Sequence, residues 1–128
     1  MMDIHIDTNI YSSAMVGDHK AIDIFQSAST VYLSVIVIGE LLSGFKTGTQ
    51  LKRNREQLYE FLDSPRVVIC TICEKTAEHY SNIYKTLKKA GKLIPTNDMW
   101  IAASALERGI PLATTDKHFE LVPGLILV

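Results

Sequence analysis

The chain has 128 residues, of which 47% are hydrophobic and 21% charged, so it fits one folded domain and excludes a disordered chain. Its net charge of −1 excludes a surface built throughout for nucleic acid, although a local basic rim remains compatible with it. The sequence shows neither a signal-peptide pattern nor an apolar run of transmembrane length. We therefore expect a cytoplasmic protein with no membrane partner, formed by a single domain over residues 1–128.

The N-terminal third of the chain predicts two strands and three helices. In MMDIHIDTNI, apolar and polar residues alternate with the period of a strand, which is predicted to end near Asp7. A short helix should follow, and then a second helix through DHKAIDIFQSA. In TVYLSVIVIGELLSGF, the β-branched residues favour a strand, but Ser34 can cap a helix whose apolar positions continue to Phe45. We place the end of the strand and the start of the helix at Ser34.

The rest of the chain predicts alternating helices and strands. LKRNREQLYEFL is typical of an amphipathic helix. Its expected inward-facing residues are Leu51, Leu58, Phe61 and Leu62. RVVICTI is a continuous apolar run, typical of a strand covered on both faces. Thr71 and Glu74 have capping-box spacing in front of a helix that Gly91 ends. PTNDMWIAASALERG predicts a further helix, and IPLATTD and LILV predict strands, so the order indicates an α/β fold with a largely parallel sheet.

Cys70 and Cys73 form a lone C-x-x-C, which is compatible with a redox pair or with half of a zinc site. The sequence contains no second C-x-x-C, and no histidine lies near this one to complete four zinc ligands. Cys70 also lies within a predicted strand, where cysteine behaves as a small hydrophobic residue. Core packing is therefore the favoured interpretation.

Four carboxylates interrupt or end apolar segments, where a charge costs most free energy. Asp7 and Asp116 each end a predicted strand, so both should emerge at the same edge of a parallel sheet. Glu40 interrupts the apolar run in VIGELL, and Asp98 lies in the first turn of an apolar helix. Taken singly, each has an ordinary explanation as a cap, a solvent-facing residue or a partner of the helix dipole.

Taken together, the four carboxylates would repel one another unless a cation compensates them. Mg²⁺ or Mn²⁺ is the natural partner, because these hard ions bind few carboxylates together with water. Such an ion polarises phosphoryl oxygens and activates water near neutral pH. The acidic residues therefore predict a metal-dependent site for phosphoryl chemistry.

Four blocks of the sequence, IHIDTN, SVIVIGELLSG, IPTNDMWIAASA and LATTDKHF, resemble the motifs of the PIN-domain nucleases, in this order. They are most similar to the VapC-type ribonuclease toxins of bacterial and archaeal toxin–antitoxin pairs, and they span essentially the whole chain. The resemblance implies a PIN-like α/β fold with a mainly parallel, five-stranded sheet flanked by helices. It also implies that acidic residues line a cleft at the carboxyl edge of that sheet.

The resemblance implies a role for individual residues. Those that would hold Mg²⁺ or Mn²⁺ and catalyse hydrolysis of RNA phosphodiester bonds are Asp7, Glu40, Asp98 and Asp116. Those that would orient the carboxylates and the waters are Thr8, Asn9, Asn97 and Thr115. The departing group would be the ribose 3′-oxygen, which leaves a 5′-phosphate. Implied partners are the RNA substrate, a second copy of the chain that packs on apolar helices, and a small antitoxin whose basic side chain enters the acidic cleft.

Two basic clusters are candidates for holding RNA. The positions proposed as phosphate contacts are Lys46, Lys52, Arg53, Arg55 and Lys92. A solvated helix face explains these charges equally well. The histidines receive no role: His5 alternates with strand residues, and His19, His79 and His118 are expected at the surface.

Several other functions are alternatives to that of a toxin ribonuclease. A receiver-like phosphoacceptor domain needs paired acids after the first strand, where Thr8 and Asn9 follow Asp7 here. A phosphatase of the D-x-D type needs a second aspartate at position 9, which is Asn9. A PIN-fold nuclease that processes RNA outside a toxin system, or a domain that only binds RNA or a partner, remains an alternative.

Overall fold

The computed structural model describes residues 2–128 and contains, within that range, a four-stranded sheet. The strands are β1 (Met2–Ile6), β2 (Ala28–Ser34), β3 (Val67–Cys70) and β4 (Leu112–Ala113). Every strand pair is parallel, and the order across the sheet is β3-β2-β1-β4. The carboxyl ends of all four strands therefore lie along one edge, where α/β folds place their ligands.

Six helices connect and cover the strands in the described part of the chain. They are α1 (Thr8–Met15), α2 (His19–Ser27), α3 (Val35–Thr47), α4 (Leu51–Leu62), α5 (Glu74–Lys89) and α6 (Thr96–Arg108), and a 3₁₀ turn follows at Lys117–Leu121. Ser34 ends β2 and accepts a hydrogen bond from the Ile36 backbone N–H at 3.0 Å, which confirms the predicted boundary between strand and helix. Between residues 2 and 128, no helix combines the length and the apolar character needed to cross a membrane.

The core lies between the sheet and the helices, with α6 among its most deeply buried elements. Ala102, Ala103 and Ala105 of α6 are fully buried, since their small side chains let the helix backbone approach its neighbours closely. Ile6 from β1 and Leu33 from β2 are likewise fully buried. The α/β fold predicted from the alternation of elements is thus confirmed.

The predicted fifth strand is wrong. The C-terminal LILV forms only an isolated parallel bridge, in which Leu127 pairs with Leu112. Two backbone hydrogen bonds, from Leu112 N–H to Ile126 oxygen at 2.8 Å and from Val128 N–H to Leu112 oxygen at 3.0 Å, hold the segment beside β4. Because β4 itself has only two residues, it offers too short a ladder for a full strand to form.

Three local predictions are also corrected. β3 is an edge strand, and Val68 and Ile69 expose 39% and 44% of their surface, so it is not covered on both faces. Leu51, in the first turn of α4, is exposed, whereas Leu58 is fully buried; only the later part of that helix reaches the core. The capping box of α5 starts at Cys73, whose N–H donates to Thr76 Oγ1 at 3.1 Å, and not at Thr71 with Glu74.

The two cysteines lie in different environments. Cys70 is a free, fully buried thiol, as core packing predicts, and its burial raises its pKa. Cys73 is free and exposed, with its Sγ 3.5 Å from Glu107 Oε2. Within residues 2–128, neither thiol belongs to a group of three potential metal ligands.

His5 of β1 is a buried histidine that touches α6. Its Nε2 lies 3.0 Å from Ser104 Oγ, while its Nδ1 is buried without a hydrogen-bond partner in the described structure. Burial lowers the pKa of His5 to about 4. The neutral imidazole is therefore part of the folded core.

We expect His5 to make the fold sensitive to acid. The unfolded chain takes up a proton near pH 6.5 and the folded chain only near pH 4, so the unfolded state binds more protons between these values. The contribution of neutral His5 to the free energy of unfolding is complete above pH 6.5. It decreases by about 2–3 kcal/mol as pH falls from 6.5 to 4.5. Urea unfolding at pH 7.5 and pH 4.5 measures this loss in the wild type and in His5→Gln, which does not titrate. Equal losses in the two proteins would contradict a buried neutral imidazole.

Candidate metal and catalytic site

Four segments bring the predicted carboxylates to the carboxyl edge of the sheet. Asp7 directly follows β1, whereas Asp116 lies three residues beyond the end of β4, not at the end of a strand as predicted, and caps the 3₁₀ turn. Glu40 lies within α3, and Asp98 lies in the first turn of α6. The parallel sheet explains why residues that are distant in sequence meet here, since strands that run the same way end at the same edge.

Asp7 is the most deeply buried of the four, with 5% of its surface exposed. Its Oδ1 accepts a hydrogen bond from the Thr8 backbone N–H at 2.7 Å, and its Oδ2 accepts one from Thr114 Oγ1 at 2.8 Å. Burial raises the pKa of Asp7, the two hydrogen bonds oppose this, and the negative charges of Asp98 and Glu40 raise the pKa further. The two hydrogen bonds thus hold the Asp7 carboxylate in one orientation, although burial and the neighbouring negative charges disfavour its ionised form.

Glu40 is oriented by two residues from other segments. Its Oε1 accepts a hydrogen bond from Thr8 Oγ1 at 2.5 Å, and its Oε2 accepts one from Asn97 Nδ2 at 3.3 Å. Thr8 therefore contacts two carboxylates, Asp7 through its backbone and Glu40 through its hydroxyl. Thr8 and Asn97, two of the four residues that the resemblance implies as orienting groups, thus contact Glu40.

Asp98 and Asp116 meet at the imidazole of His118. The Nδ1 atom of His118 lies 3.0 Å from Asp98 Oδ2 and 3.2 Å from Asp116 Oδ1. One ligand atom from each of the three residues lies within 4.8 Å of the others. Burial raises the pKa of Asp98, the hydrogen bond to His118 lowers it, and the charges of Asp116 and Glu40 raise it again. The negative charges of Glu40 and Asp98 thus act on Asp7, and those of Glu40 and Asp116 act on Asp98. Asp7 and Glu40 are not part of the group of close ligand atoms that Asp98, Asp116 and His118 form.

Two predicted orienting residues do not touch a carboxylate. Asn9 donates from Nδ2 to Thr115 Oγ1 at 2.8 Å, so Asn9 and Thr115 bind each other at the edge of the site. Thr114 fills the place expected for Thr115, because its Oγ1 donates to Asp7 and accepts from the Asp116 backbone N–H at 3.0 Å. The sequence offered two adjacent threonines, and only the orientation of the chain after β4 decides which one points inward.

After Thr114, His118 is the second residue of the site that the sequence analysis does not predict. It is exposed, as expected, but it also contacts two of the candidate catalytic carboxylates. The available signal was its position two residues after Asp116 in a turn, where the Asp116 carboxylate accepts from the His118 backbone N–H at 2.9 Å. In the described chain, His118 Nδ1 lies within hydrogen-bond distance of both carboxylates.

The donor set fits a hard divalent cation. Carboxylate oxygens are the ligands that Mg²⁺ and Mn²⁺ prefer, and these four bear more negative charge than one imidazole can compensate. An open groove of about 520 Å³ adjoins Glu40 and gives access to it from solvent, whereas Asp7, Asp98 and Asp116 do not line this groove. Its lining residues are Val35, Ile36, Gly39, Glu40, Ser43 and Asn97.

The predicted RNA contacts are all exposed, and none of them lines the groove. Lys46 follows Ser43 by one turn of α3, and Ser43 lines the groove. Lys52, Arg53 and Arg55 lie on α4, where the Arg55 guanidinium is 5.7 Å from the ring centroid of Tyr59. Lys92 follows α5.

Comparisons with known proteins point to one family. The family model described as PIN domain matches residues 4–125. The chain is 33% identical to Ribonuclease VapC2 of Haemophilus influenzae, over 98% of this chain and 96% of that protein, and 29% identical to Ribonuclease VapC2 of Rickettsia felis, over 95% and 93%.

Solved structures agree with these sequence relatives. VapBC2 of Rickettsia felis, bound to a DNA fragment from its promoter, matches with a TM-score of 0.89 and 26% identity, over 100% of this chain and 98% of that one. VapBC-1 of nontypeable Haemophilus influenzae matches with a TM-score of 0.84 and 28% identity, over 100% and 97%.

Proposed function

The chain belongs to the PIN-domain family, and from this premise we propose that it is a divalent-metal-dependent endoribonuclease, the toxin of a VapBC-type toxin–antitoxin system. The observation that carries the proposal is the electrostatic coupling of carboxylates at the carboxyl edge of the sheet, where Asp98 and Glu40 act on Asp7 and Asp116 acts on Asp98. The names of the sequence relatives, ribonucleases of the VapC type, support RNA as the substrate.

The residues proposed to hold Mg²⁺ or Mn²⁺ are Asp7, Glu40, Asp98 and Asp116. When bound, the ion supplies Lewis-acid chemistry, in which it neutralises charge developing on phosphoryl oxygens and makes water a stronger nucleophile. Thr8, Asn97 and Thr114 fix the carboxylates in advance, so little reorganisation is needed as the phosphate reacts. The groove beside Glu40 would admit the RNA strand, and Lys46, one helical turn from Ser43 of its lining, would supply a positive charge.

The chemistry of the product ends tests this proposal. Attack by water expels the ribose 3′-oxygen and leaves a 5′-phosphate and a 3′-hydroxyl. Attack by the neighbouring ribose 2′-hydroxyl, which needs no metal, leaves a 2′,3′-cyclic phosphate and a 5′-hydroxyl. Partner-free protein should be incubated with RNA and Mn²⁺, and the products treated with an exonuclease that requires a 5′-phosphate. Products resistant to this exonuclease would exclude attack by water with expulsion of the ribose 3′-oxygen.

The proposed partners are a second copy of the chain and a small antitoxin. The exposed Leu51 and Tyr59 of α4 and Tyr84 of α5 give these helices apolar surface that a second copy would cover. The VapBC structures support an antitoxin, whose basic side chain would compensate the acidic edge. We also propose that the protein acts in the cytoplasm.

We expect the purified protein to sediment as a dimer at tens of micromolar, a range in which micromolar affinities are observed. Tyr59→Glu should shift it towards the monomer, because a charge in an apolar interface is costly. Glu78→Gln, at an exposed position of α5, is the control. A wild-type monomer at this concentration would contradict the proposed dimer.

A further inference from the structure

The position of His118 is set by the turn that carries it. The adjacent Phe119 is fully buried and anchors the 3₁₀ turn, while Asp116 accepts from the His118 backbone N–H. The imidazole therefore faces Asp98 and Asp116 with its Nδ1 atom, although its ring is about half exposed. The turn presents one nitrogen to two carboxylates that come from different elements.

The distances around Nδ1 match those between neighbouring ligands of one ion. In an octahedral site with bonds of about 2.1 Å, adjacent ligand atoms are about 3.0 Å apart. Nδ1 lies 3.0 Å from Asp98 Oδ2 and 3.2 Å from Asp116 Oδ1. The two carboxylate oxygens are at most 4.8 Å apart, so a small movement would bring all three atoms onto one ion, whose opposite ligands are about 4.2 Å apart.

We propose that His118 is a direct ligand, through Nδ1, of the divalent ion bound by Asp98 and Asp116, and that this nitrogen makes the site prefer Mn²⁺ to Mg²⁺. Imidazole nitrogen suits transition-metal ions, whereas Mg²⁺ strongly favours an all-oxygen shell. The inference rests on the proposed function only in taking this ion to be the one that the nuclease uses. In the competing arrangement, the imidazole merely pairs with the acids and the metal displaces it.

Metal titrations without RNA separate the two arrangements. Isothermal calorimetry should give Mn²⁺ and Mg²⁺ affinities for the wild type, His118→Ala, His118→Asp and the exposed control His19→Ala. If His118 is a ligand, His118→Ala weakens Mn²⁺ binding at least about tenfold, the lower limit for the loss of even an outer-sphere partner. Mg²⁺ binding changes less, and the all-oxygen site of His118→Asp shifts its preference towards Mg²⁺. Unchanged or tighter Mn²⁺ binding by His118→Ala would overturn the inference.

Pulsed electron paramagnetic resonance of bound Mn²⁺ gives an independent result. The wild type and His19→Ala should show coupling to a directly coordinated nitrogen, and His118→Ala should lose it. Absence of this coupling in the wild type would overturn the inference even if the variants failed to fold. A wild type that binds Mn²⁺ through nitrogen but cleaves no RNA would refute the proposed function alone. RNA cleavage with the same metal preference in His118→Ala would refute the ligand role alone.

Discussion

Replacing Asp7 by Asn should reduce the rate of RNA cleavage at least about a thousand-fold while leaving the protein folded. Asn has nearly the same shape and can still accept the hydrogen bond from the Thr8 backbone N–H, so the local structure should survive. It has no negative charge, however, and is a much poorer ligand for Mg²⁺ or Mn²⁺. A metal ion contributes several kcal/mol of transition-state stabilisation, and a loss of about 4 kcal/mol is a thousand-fold in rate.

The measurement is the initial rate on one RNA at saturating Mn²⁺, with circular dichroism as the check on folding. Asp23→Asn is the matched control, because Asp23 is an exposed acid on α2 away from the sheet edge. The control should cleave at the wild-type rate. A folded Asp7→Asn protein within about tenfold of the wild-type rate, only about 1.4 kcal/mol of barrier, would show that Asp7 is not part of the catalytic site.

The same substitution should stabilise the protein when metal is absent. Burial and the charges of Asp98 and Glu40 raise the pKa of Asp7 above its value in the unfolded chain. In the pH range between these two pKa values, the folded state therefore binds more protons than the unfolded state. The stability of the metal-free protein should therefore fall as pH rises through this range. Asp7→Asn has no charge to desolvate, and it should melt higher than the wild type in chelator.

Adding Mn²⁺ should reverse that order. At a hundred times the dissociation constant, a bound ion stabilises the wild type by about 2.7 kcal/mol, or about 10 °C in a chain of 128 residues. Asp7→Asn should gain much less, while the control Asp23→Asn should follow the wild type with and without metal. Thermal melts in chelator test the stabilisation of Asp7→Asn without metal, and melts in Mn²⁺ test the reversed order. Identical melting temperatures and metal responses for wild type and Asp7→Asn would contradict a site of mutually repelling carboxylates.

Much of the site could be predicted because its acids interrupt strongly patterned segments. Asp7 ends a strand with clear alternation, and Glu40 stands alone in an apolar helix, so both are conspicuous in the sequence. Parallel strands then require Asp7 and Asp116 to share an edge. The boundary at Ser34 was predictable for a local reason, since a serine before a helical apolar pattern provides a cap.

The remaining features depend on tertiary geometry that local patterns do not contain. The choice between Thr114 and Thr115 depends on how the chain turns after β4. The role of His118 depends on Asp98, which lies on α6 and is 20 residues away in sequence. The exposure of Val68 and Ile69 follows from the edge position of β3, because a buried strand and a half-covered edge strand have the same apolar composition.

Anomalous diffraction from crystals grown with Mn²⁺ would show directly whether the four carboxylates form one metal site. Diffraction data are collected at an X-ray wavelength at which manganese scatters anomalously. They locate the ion directly and require neither nuclease activity nor knowledge of the RNA. We predict a peak at about 2.2 Å from carboxylate oxygens at the carboxyl edge of the sheet. The residues expected around it are Asp7, Glu40, Asp98 and Asp116. At saturating Mn²⁺, no peak among these residues, or a peak only elsewhere on the protein, would contradict a metal-dependent site at this edge.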